Sequence, residues 1–153
     1  LMLSFLDHTW LFAQVGIVEG IENYETVQEP HLEISVYTAR IFEYLRDQLI
    51  IAHDRNPYIS LFAALRLSIK NLLSNYPGYY AFFLVNESVL FSFCNFRSLS
   101  ILKKSEKMGD VLLITSIRKG LSQNNWQTIG PEDPSKGTLM VIAGPDVLYA
   151  EDV

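Results

Sequence analysis

The order of its predicted elements is the feature that most constrains how this chain can fold. A short apolar segment at residues 10–13 is typical of a buried strand, and two helical segments follow it in the sequence. From residue 79 onward the pattern changes to short apolar strands separated by turn residues. Two helices followed by a strand-rich half predict an α+β fold.

Apolar residues at helical spacing predict both helices. The first covers residues 37–51 and is broken by residues 53–55. The second covers residues 58–74, because Asn56 is a favoured N-cap and Pro57 is favoured at the first helical position. The strands are predicted at residues 80–85, 88–93, 111–116, 127–129, 138–143 and 147–149. Asn86 and Glu87 join the first two strands, which indicates a tight hairpin.

Composition places the chain among ordinary globular domains. With 153 residues, 49% of them apolar, it can bury a core and is predicted to form one domain over residues 1–153. A single cysteine excludes an internal disulfide framework and fits a reducing, cytoplasmic location. Because no apolar stretch reaches the length of a membrane span, no membrane partner is expected.

The net charge of −5 is spread along the chain rather than clustered. Five acids in the first loop favour a solvated surface over a cation site: Glu19, Glu22, Glu25, Glu29 and Glu33. The one basic concentration lies on a predicted polar connector and is too small to favour nucleic acid as a partner: Lys103, Lys104 and Lys107.

The turn after residues 10–13 contains two glycines, Gly16 and Gly20. Gly16 can adopt positive φ, and its backbone N–H could approach a ligand closely enough to act as an oxyanion donor. Glycine is also a common turn residue, so a purely structural role for Gly16 stays open.

Residues 10–20, followed by residues 39–45, resemble the class II glutamine amidotransferases, a family of N-terminal-nucleophile (Ntn) hydrolases. The later apolar strands fall in the same order as the strands of that family. The resemblance implies an Ntn-hydrolase-like αββα sandwich of antiparallel sheets covered by helices, of which this chain would be the later portion. In that family a strand ends in His-Asn-Gly, and Thr-Asp-Ser-Glu opens the next helix.

These two motifs are altered in this chain. The family's Asn side chain and Gly amide form the oxyanion hole, but here Gln14 and Val15 stand at the His and Asn positions, and only Gly16 is kept. The family's Asp holds the amino group of glutamine, and here that position is Tyr37. A buried ammonium without a counter-charge is costly, so glutamine loses its main anchor. The other three positions of the second motif are Val36, Thr38 and Ala39.

The nucleophile of the family is an amino-terminal cysteine, whereas this chain begins with Leu1. Cys94 lies within an apolar strand and is predicted to be a small core residue rather than a reactive thiolate, because its neighbours in the sequence are apolar. Loss of one oxyanion donor alone typically costs about 10²- to 10³-fold in rate. The chain is therefore expected to have no intact catalytic residue and no glutaminase activity.

Two explanations of the missing chemistry remain open. The chain is either the later part of a larger amidotransferase-like protein, or a degenerate relative that kept the scaffold. Val15 and Tyr37 favour the degenerate relative, because truncation does not change retained residues. The expected function is then a glutamine amidotransferase-like domain without glutaminase activity, or alternatively a small-ligand-binding or subunit-interaction protein. The expected partners are glutamine or another small molecule, and a second copy or partner subunit; no cofactor is expected.

The histidines, one serine and a set of aromatic residues are the remaining candidate site residues. His8, His31 and His53 lack metal-ligand spacing, so no metal site is predicted. Ser116 has no catalytic-elbow sequence around it and is predicted to be a polar residue at the end of a strand. Five aromatic residues could line a pocket or stack on a base, but core packing is favoured for them: Tyr76, Tyr79, Tyr80, Phe82 and Phe83.

Overall fold

The fold combines two helices with two antiparallel sheets, which confirms the α+β prediction. A computed structural model describes residues 1–27, 37–106, 109–121, 125–131 and 136–153. The elements are β1 (Met2–Phe5), β2 (His8–Val15), a 3₁₀ turn (Ile21–Asn23), α1 (Tyr37–Arg55), α2 (Leu61–Asn75), β3 (Ala81–Val85), β4 (Leu90–Cys94), β5 (Leu99–Glu106), β6 (Gly109–Thr115), β7 (Gln127–Ile129), β8 (Thr138–Ala143) and β9 (Asp146–Asp152).

The two sheets differ in size. The first has six strands in the order β1-β2-β3-β4-β8-β9, and the second has three in the order β6-β5-β7. On one face of the first sheet, Phe12 and Phe82 pack in the main core with Phe42 and Leu45 of α1. On the other face, Cys94 of β4 packs with residues of β8 and with Leu99 of the second sheet. The described residues thus form a helix layer and two sheet layers, which is compatible with an incomplete αββα sandwich.

Strand β2 is buried on one face only. Trp10 and Phe12 are buried, whereas Leu11 and Val15 are exposed. The buried strand predicted at residues 10–13 is therefore present as part of β2, but only one of its faces is buried, because the helices cover one face of this part of the sheet and leave the other open. Strand β1 was not predicted; it pairs antiparallel with β2 in the register Leu3 to Trp10.

Both helices differ from their predicted bounds. Helix α1 runs through residues 53–55 to Arg55 rather than ending at residue 51, and basic side chains in the last turn interact favourably with the helix dipole. Helix α2 begins at Leu61 because Ser60 is its N-cap, accepting a 3.2 Å hydrogen bond from the Ala63 N–H. Asn56 is not the cap; its side chain accepts from the Tyr58 N–H within the connecting turn. Neither described helix has the length and hydropathy required to cross a bilayer.

The predicted hairpin forms, but its turn is shifted by one residue. Val85 pairs with Leu90, so residues 86–89 connect the strands, and a 3.0 Å hydrogen bond from the Asn86 N–H to the Val89 carbonyl leaves residues 87 and 88 at the tip of the turn. The Asn86 side chain accepts 2.9 Å hydrogen bonds from the N–H groups of Ser88 and Val89, and this fixes the shift. Strands β7 and β8 have the predicted bounds.

The remaining departures concern strands of the second half. Lys103 and Lys104 lie in strand β5 and not on a connector. Strand β9 is longer than predicted, since it runs to Asp152. Glu29, His31, Glu33, Val36 and Lys107 lie outside the described residues.

Candidate functional site

Two residues from the altered motifs meet in the structure. Gln14 lies near the end of β2 and Thr38 in the first turn of α1, and the Thr38 hydroxyl donates a 3.0 Å hydrogen bond to the Gln14 side-chain oxygen. The Gln14 side-chain nitrogen is buried and has no hydrogen-bond partner among the described residues. The fold thus brings the two motif positions together, but the groups that join them are neutral.

The other two altered positions are open to solvent. Val15 is 71% exposed and Tyr37 is 52% exposed. Val15 presents only methyl groups, so its side chain cannot donate a hydrogen bond to an oxyanion. Tyr37 offers a hydroxyl where a carboxylate would be needed to pair with an ammonium.

Gly16 has a structural reason to be glycine. Its φ is 143°, and a Cβ added there would lie 1.8 Å from the carbonyl oxygen of Tyr79. The carbonyl of the next residue, Ile17, accepts a 2.8 Å hydrogen bond from the Tyr79 N–H. The backbone therefore packs directly against backbone at this turn, which accounts for the glycine without a ligand; an oxyanion role for Gly16 stays a prediction.

A cleft of about 410 Å³ opens between the two sheets beside the end of β2. This volume lies in the range of about 300–1,000 Å³ that is usual for small-molecule sites. Most of its lining is apolar, including Ala13, Ala81, Phe83, Leu99 and Ile114. Five residues with polar side chains contribute to its lining: Gln14, Ser92, Arg97, Thr115 and Ser116.

Ser92 and Arg97 are the residues of this cleft that the sequence analysis missed. Ser92 is 1% exposed, and its hydroxyl has no hydrogen-bond partner among the described residues. The Arg97 guanidinium lies 4.5 Å from the centroid of the Phe96 ring. The sequence did contain one signal for Ser92, because it is the one serine in the otherwise apolar strand of residues 90–94.

Cys94 belongs to the core, as its apolar strand predicted. It is 1% exposed and packs with Leu99, Met140 and Ile142. It is not among the residues that line the cleft. A buried thiol enclosed by apolar side chains has no route to a substrate.

The structure places His8 and His53 around one small cavity of about 280 Å³. His8 Nδ1 lies 2.6 Å from a carboxylate oxygen of Glu87. A hydrogen bond from its own backbone N–H and the bond to His8 both lower the pKa of Glu87. Within the described ranges, no three His, Cys, Asp or Glu side chains are grouped so as to hold a metal ion.

The five aromatic residues divide between the core and the surface. Tyr80 and Phe82 are buried, as predicted, whereas Tyr79 is exposed and Tyr76 is half-buried. Phe83 lines the cleft. Ser116 directly follows β6, is exposed, and lies at the rim of the cleft, so the fold gives this strand-end serine a place beside a candidate site.

A buried ionic network secures the first loop to α1. Asp47 pairs with the Arg46 guanidinium at 2.7 Å and accepts a 2.9 Å hydrogen bond from the Tyr24 hydroxyl and a 2.7 Å bond from the Val27 N–H. Burial raises the pKa of Tyr24, and the hydrogen bond to Asp47 adds to the effect. Because its acceptors are used internally, the network is a structural element. Glu19, Glu22 and Glu25 are exposed, as a solvated loop predicts.

Comparisons with solved structures agree with the resemblance read from the sequence. A predicted glutamine amidotransferase from Pseudomonas aeruginosa has a TM-score of 0.70 and 16% identity, over 97% of this chain and 63% of that one. Glutamine phosphoribosylpyrophosphate amidotransferase from B. subtilis has a TM-score of 0.56 and 16% identity, over 99% and 31%. A glutamine aminotransferase class-II domain protein from Silicibacter pomeroyi has a TM-score of 0.57 and 13% identity, over 94% and 67%.

These similarities lie in structure rather than in sequence. No protein-family model and no curated protein matches the chain. The chain spans less than two thirds of the Pseudomonas aeruginosa structure and about a third of the B. subtilis enzyme. At these identities the comparisons establish the fold: the chain has the Ntn-hydrolase-like fold of the class II glutamine amidotransferases.

Proposed function

We propose that residues 1–153 form the later portion of a glutamine amidotransferase-like domain that does not hydrolyse glutamine and binds a small molecule instead. The observation that carries this proposal is the side chain of Val15. It stands at the end of β2, 71% exposed, where the family that the sequence resembles has an asparagine donor. An isopropyl group there leaves a developing oxyanion without that hydrogen bond.

The substrate anchor supports the same conclusion. Tyr37 and Thr38 occupy the start of α1, and Thr38 is already bonded to Gln14. Neither side chain carries a negative charge, so the ammonium group of glutamine would be desolvated without an ion pair. The cost of an uncompensated charge disfavours glutamine in this orientation.

Glutaminase assays test the first half of the proposal. Purified protein should release no ammonia from glutamine and should not react covalently with an electrophilic glutamine analogue. Cys94→Ala is the matched control because it keeps the buried position apolar. Ammonia release that this substitution abolishes, or mass-spectrometric labelling of Cys94, would show that the proposal is wrong.

The cleft between the sheets supports the second half of the proposal. A thermal-shift screen of amino acids against nucleotides measures binding directly, because a ligand that binds only the folded state raises the melting temperature. Stabilisation by glutamine alone would indicate residual substrate binding rather than a new ligand.

An interaction with a second copy or a partner subunit is the other candidate function. The exposed apolar side chains of Leu11, Val15 and Phe83, all on one face of the first sheet, favour it. An exposed apolar surface of this kind commonly marks an interaction site. Sedimentation that shows a monomer at every concentration would remove self-association.

A further inference from the structure

The geometry points to a small monocarboxylate with an apolar or aromatic body as the ligand of the intersheet cleft, with Ser92 at the base and Arg97 at the rim. This inference rests on the ligand-binding function proposed above and names the chemical class that the cleft accepts. It depends on three features of the lining: one buried hydroxyl, apolar walls, and the sign of the charge at the rim.

Ser92 provides the polar contact at the base. Its side chain lies in the middle of β4, opposite Phe83 of β3 and Met140 of β8, and is 1% exposed. Its hydroxyl is buried and has no hydrogen-bond partner among the described residues. Leaving a buried polar group without a partner is unfavourable, so an oxygen-bearing ligand that accepts a hydrogen bond from Ser92 recovers this loss.

The walls are suited to an apolar body. Ala13, Ala81 and Phe83 of the first sheet face Leu99 and Ile114 of the second sheet across the cleft. Phe83 is 36% exposed in the free protein, so an aromatic or aliphatic group that enters the cleft removes apolar surface of both partners from water.

The charge at the rim selects an anion. Arg97 is the one ionisable side chain in the described lining, which includes no Asp or Glu. Its guanidinium is held over the Phe96 ring, and no carboxylate pairs with it in the described part of the chain. Guanidinium groups bind carboxylates through strong charge-assisted hydrogen bonds. One cation suits a monocarboxylate, and a primary amine would find no counter-charge.

Three probes of nearly equal size separate these features. Hydrocinnamate carries a carboxylate, hydrocinnamamide carries a neutral amide, and phenylpropylamine carries an ammonium on the same phenylalkyl body. Isothermal titration calorimetry with the full chain should give binding in the order carboxylate, amide, amine. The carboxylate should exceed the amide by about tenfold or more, as one charge-assisted hydrogen bond predicts.

Two substitutions and one control locate the ligand. Arg97→Gln should weaken hydrocinnamate by about tenfold or more and leave hydrocinnamamide nearly unchanged. Ser92→Ala should weaken both probes by about two- to tenfold. Arg55→Gln, at the exposed end of α1, is the matched charge control and should change neither affinity. Circular dichroism verifies that each variant is folded.

Each outcome bears on the inference separately from the proposed function. No hydrocinnamate binding, equal binding of acid and amide, or equal losses in Arg97→Gln and Arg55→Gln would overturn it. Ammonia release in the parallel glutaminase assay would overturn the proposed function while leaving a measured carboxylate site intact. Carboxylate binding that responds only to Arg97→Gln and Ser92→Ala supports the inference.

Discussion

The two faces of the six-stranded sheet differ sharply in how they are covered. The face toward the helices is closed: Trp10, Phe12, Phe82 and Leu84 are each 3% exposed or less. The opposite face is closed only where the small second sheet packs against Cys94 and its neighbours. At β2 and β3 that face leaves apolar side chains in solvent. At β4 it carries the Ser92 hydroxyl, which is buried and has no hydrogen-bond partner among the described residues. The helix-side face therefore supplies stability, and the cleft-side face is free to supply binding.

The largest expected effect comes from opening the closed face. Trp10 is 0% exposed, stacks on Phe5 at 5.6 Å between ring centroids, and donates its indole N–H to the Phe5 carbonyl. Trp10→Ala should lower the free energy of unfolding by about 3–5 kcal/mol, measured by urea denaturation. Leu11→Ala, the next residue on the open face, should cost about 1 kcal/mol or less. Equal losses in the two variants would mean that both faces are equally packed.

A smaller loss of stability is expected from a substitution in the turn that follows β2. Gly16→Ala places a Cβ against the Tyr79 carbonyl in addition to straining the backbone, and should destabilise the chain by about 2–3 kcal/mol. Gly109 also has positive φ, at 121°, but an added Cβ there meets no atom of the described residues within 4 Å. Gly109→Ala is thus the matched control and should cost about 1–2 kcal/mol from strain alone. If the two variants are equally stable, the close approach to Tyr79 does not matter.

Alkaline pH should lower the free energy of unfolding through Tyr80, which is buried in the core on the helix side of the first sheet. Burial raises the pKa of the Tyr80 phenol, whose hydroxyl donates to the Tyr76 carbonyl. In the unfolded chain a tyrosine ionises near its ordinary pKa of about 10, so above that pH the unfolded state is favoured and stability falls. Denaturation curves between neutral pH and pH ~11 measure this fall. Tyr80→Phe should make it shallower, and an unchanged slope would contradict the assignment.

The smallest effect is expected at the base of the cleft. Ser92→Ala removes a hydroxyl that has no described partner, so the free energy of unfolding should stay within about 1 kcal/mol of the wild-type value or rise. Chemical denaturation of the ligand-free protein measures it. A loss well above that value would show that the hydroxyl is hydrogen-bonded in the folded protein, for example through a buried water.

The sequence predicted elements better than it predicted their ends. Both helices and most strands of the second half were located, because apolar spacing at a period of 3.6 or 2 depends on local pattern. The bounds depended on single side chains: Ser60 rather than Asn56 caps α2, and Asn86 shifts the hairpin turn. Strand β1 was missed because its four residues carry little pattern of their own and are ordered by pairing with β2.

The candidate site divides in the same way. The altered positions Gln14, Val15 and Tyr37 could be read from the order of residues alone, since that order fixes which polar groups the chain can offer. Ser92 and Arg97 could not be assigned to a site, because their importance depends on which side chains lie across the cleft and which hydrogen bonds those leave unmade.

What the sequence determined by itself was local: the helical and strand periods, the glycine at residue 16, and the uncharged side chains at residues 14, 15 and 37. The tertiary structure alone decided which face of each strand is covered, that Gln14 meets Thr38, and that Ser92 is buried with no hydrogen-bond partner in the described part of the chain. The physical reason is that burial and hydrogen bonding depend on residues distant in the chain. The preference of a segment for helix or strand depends on residues close together in the chain and can therefore be predicted from the sequence.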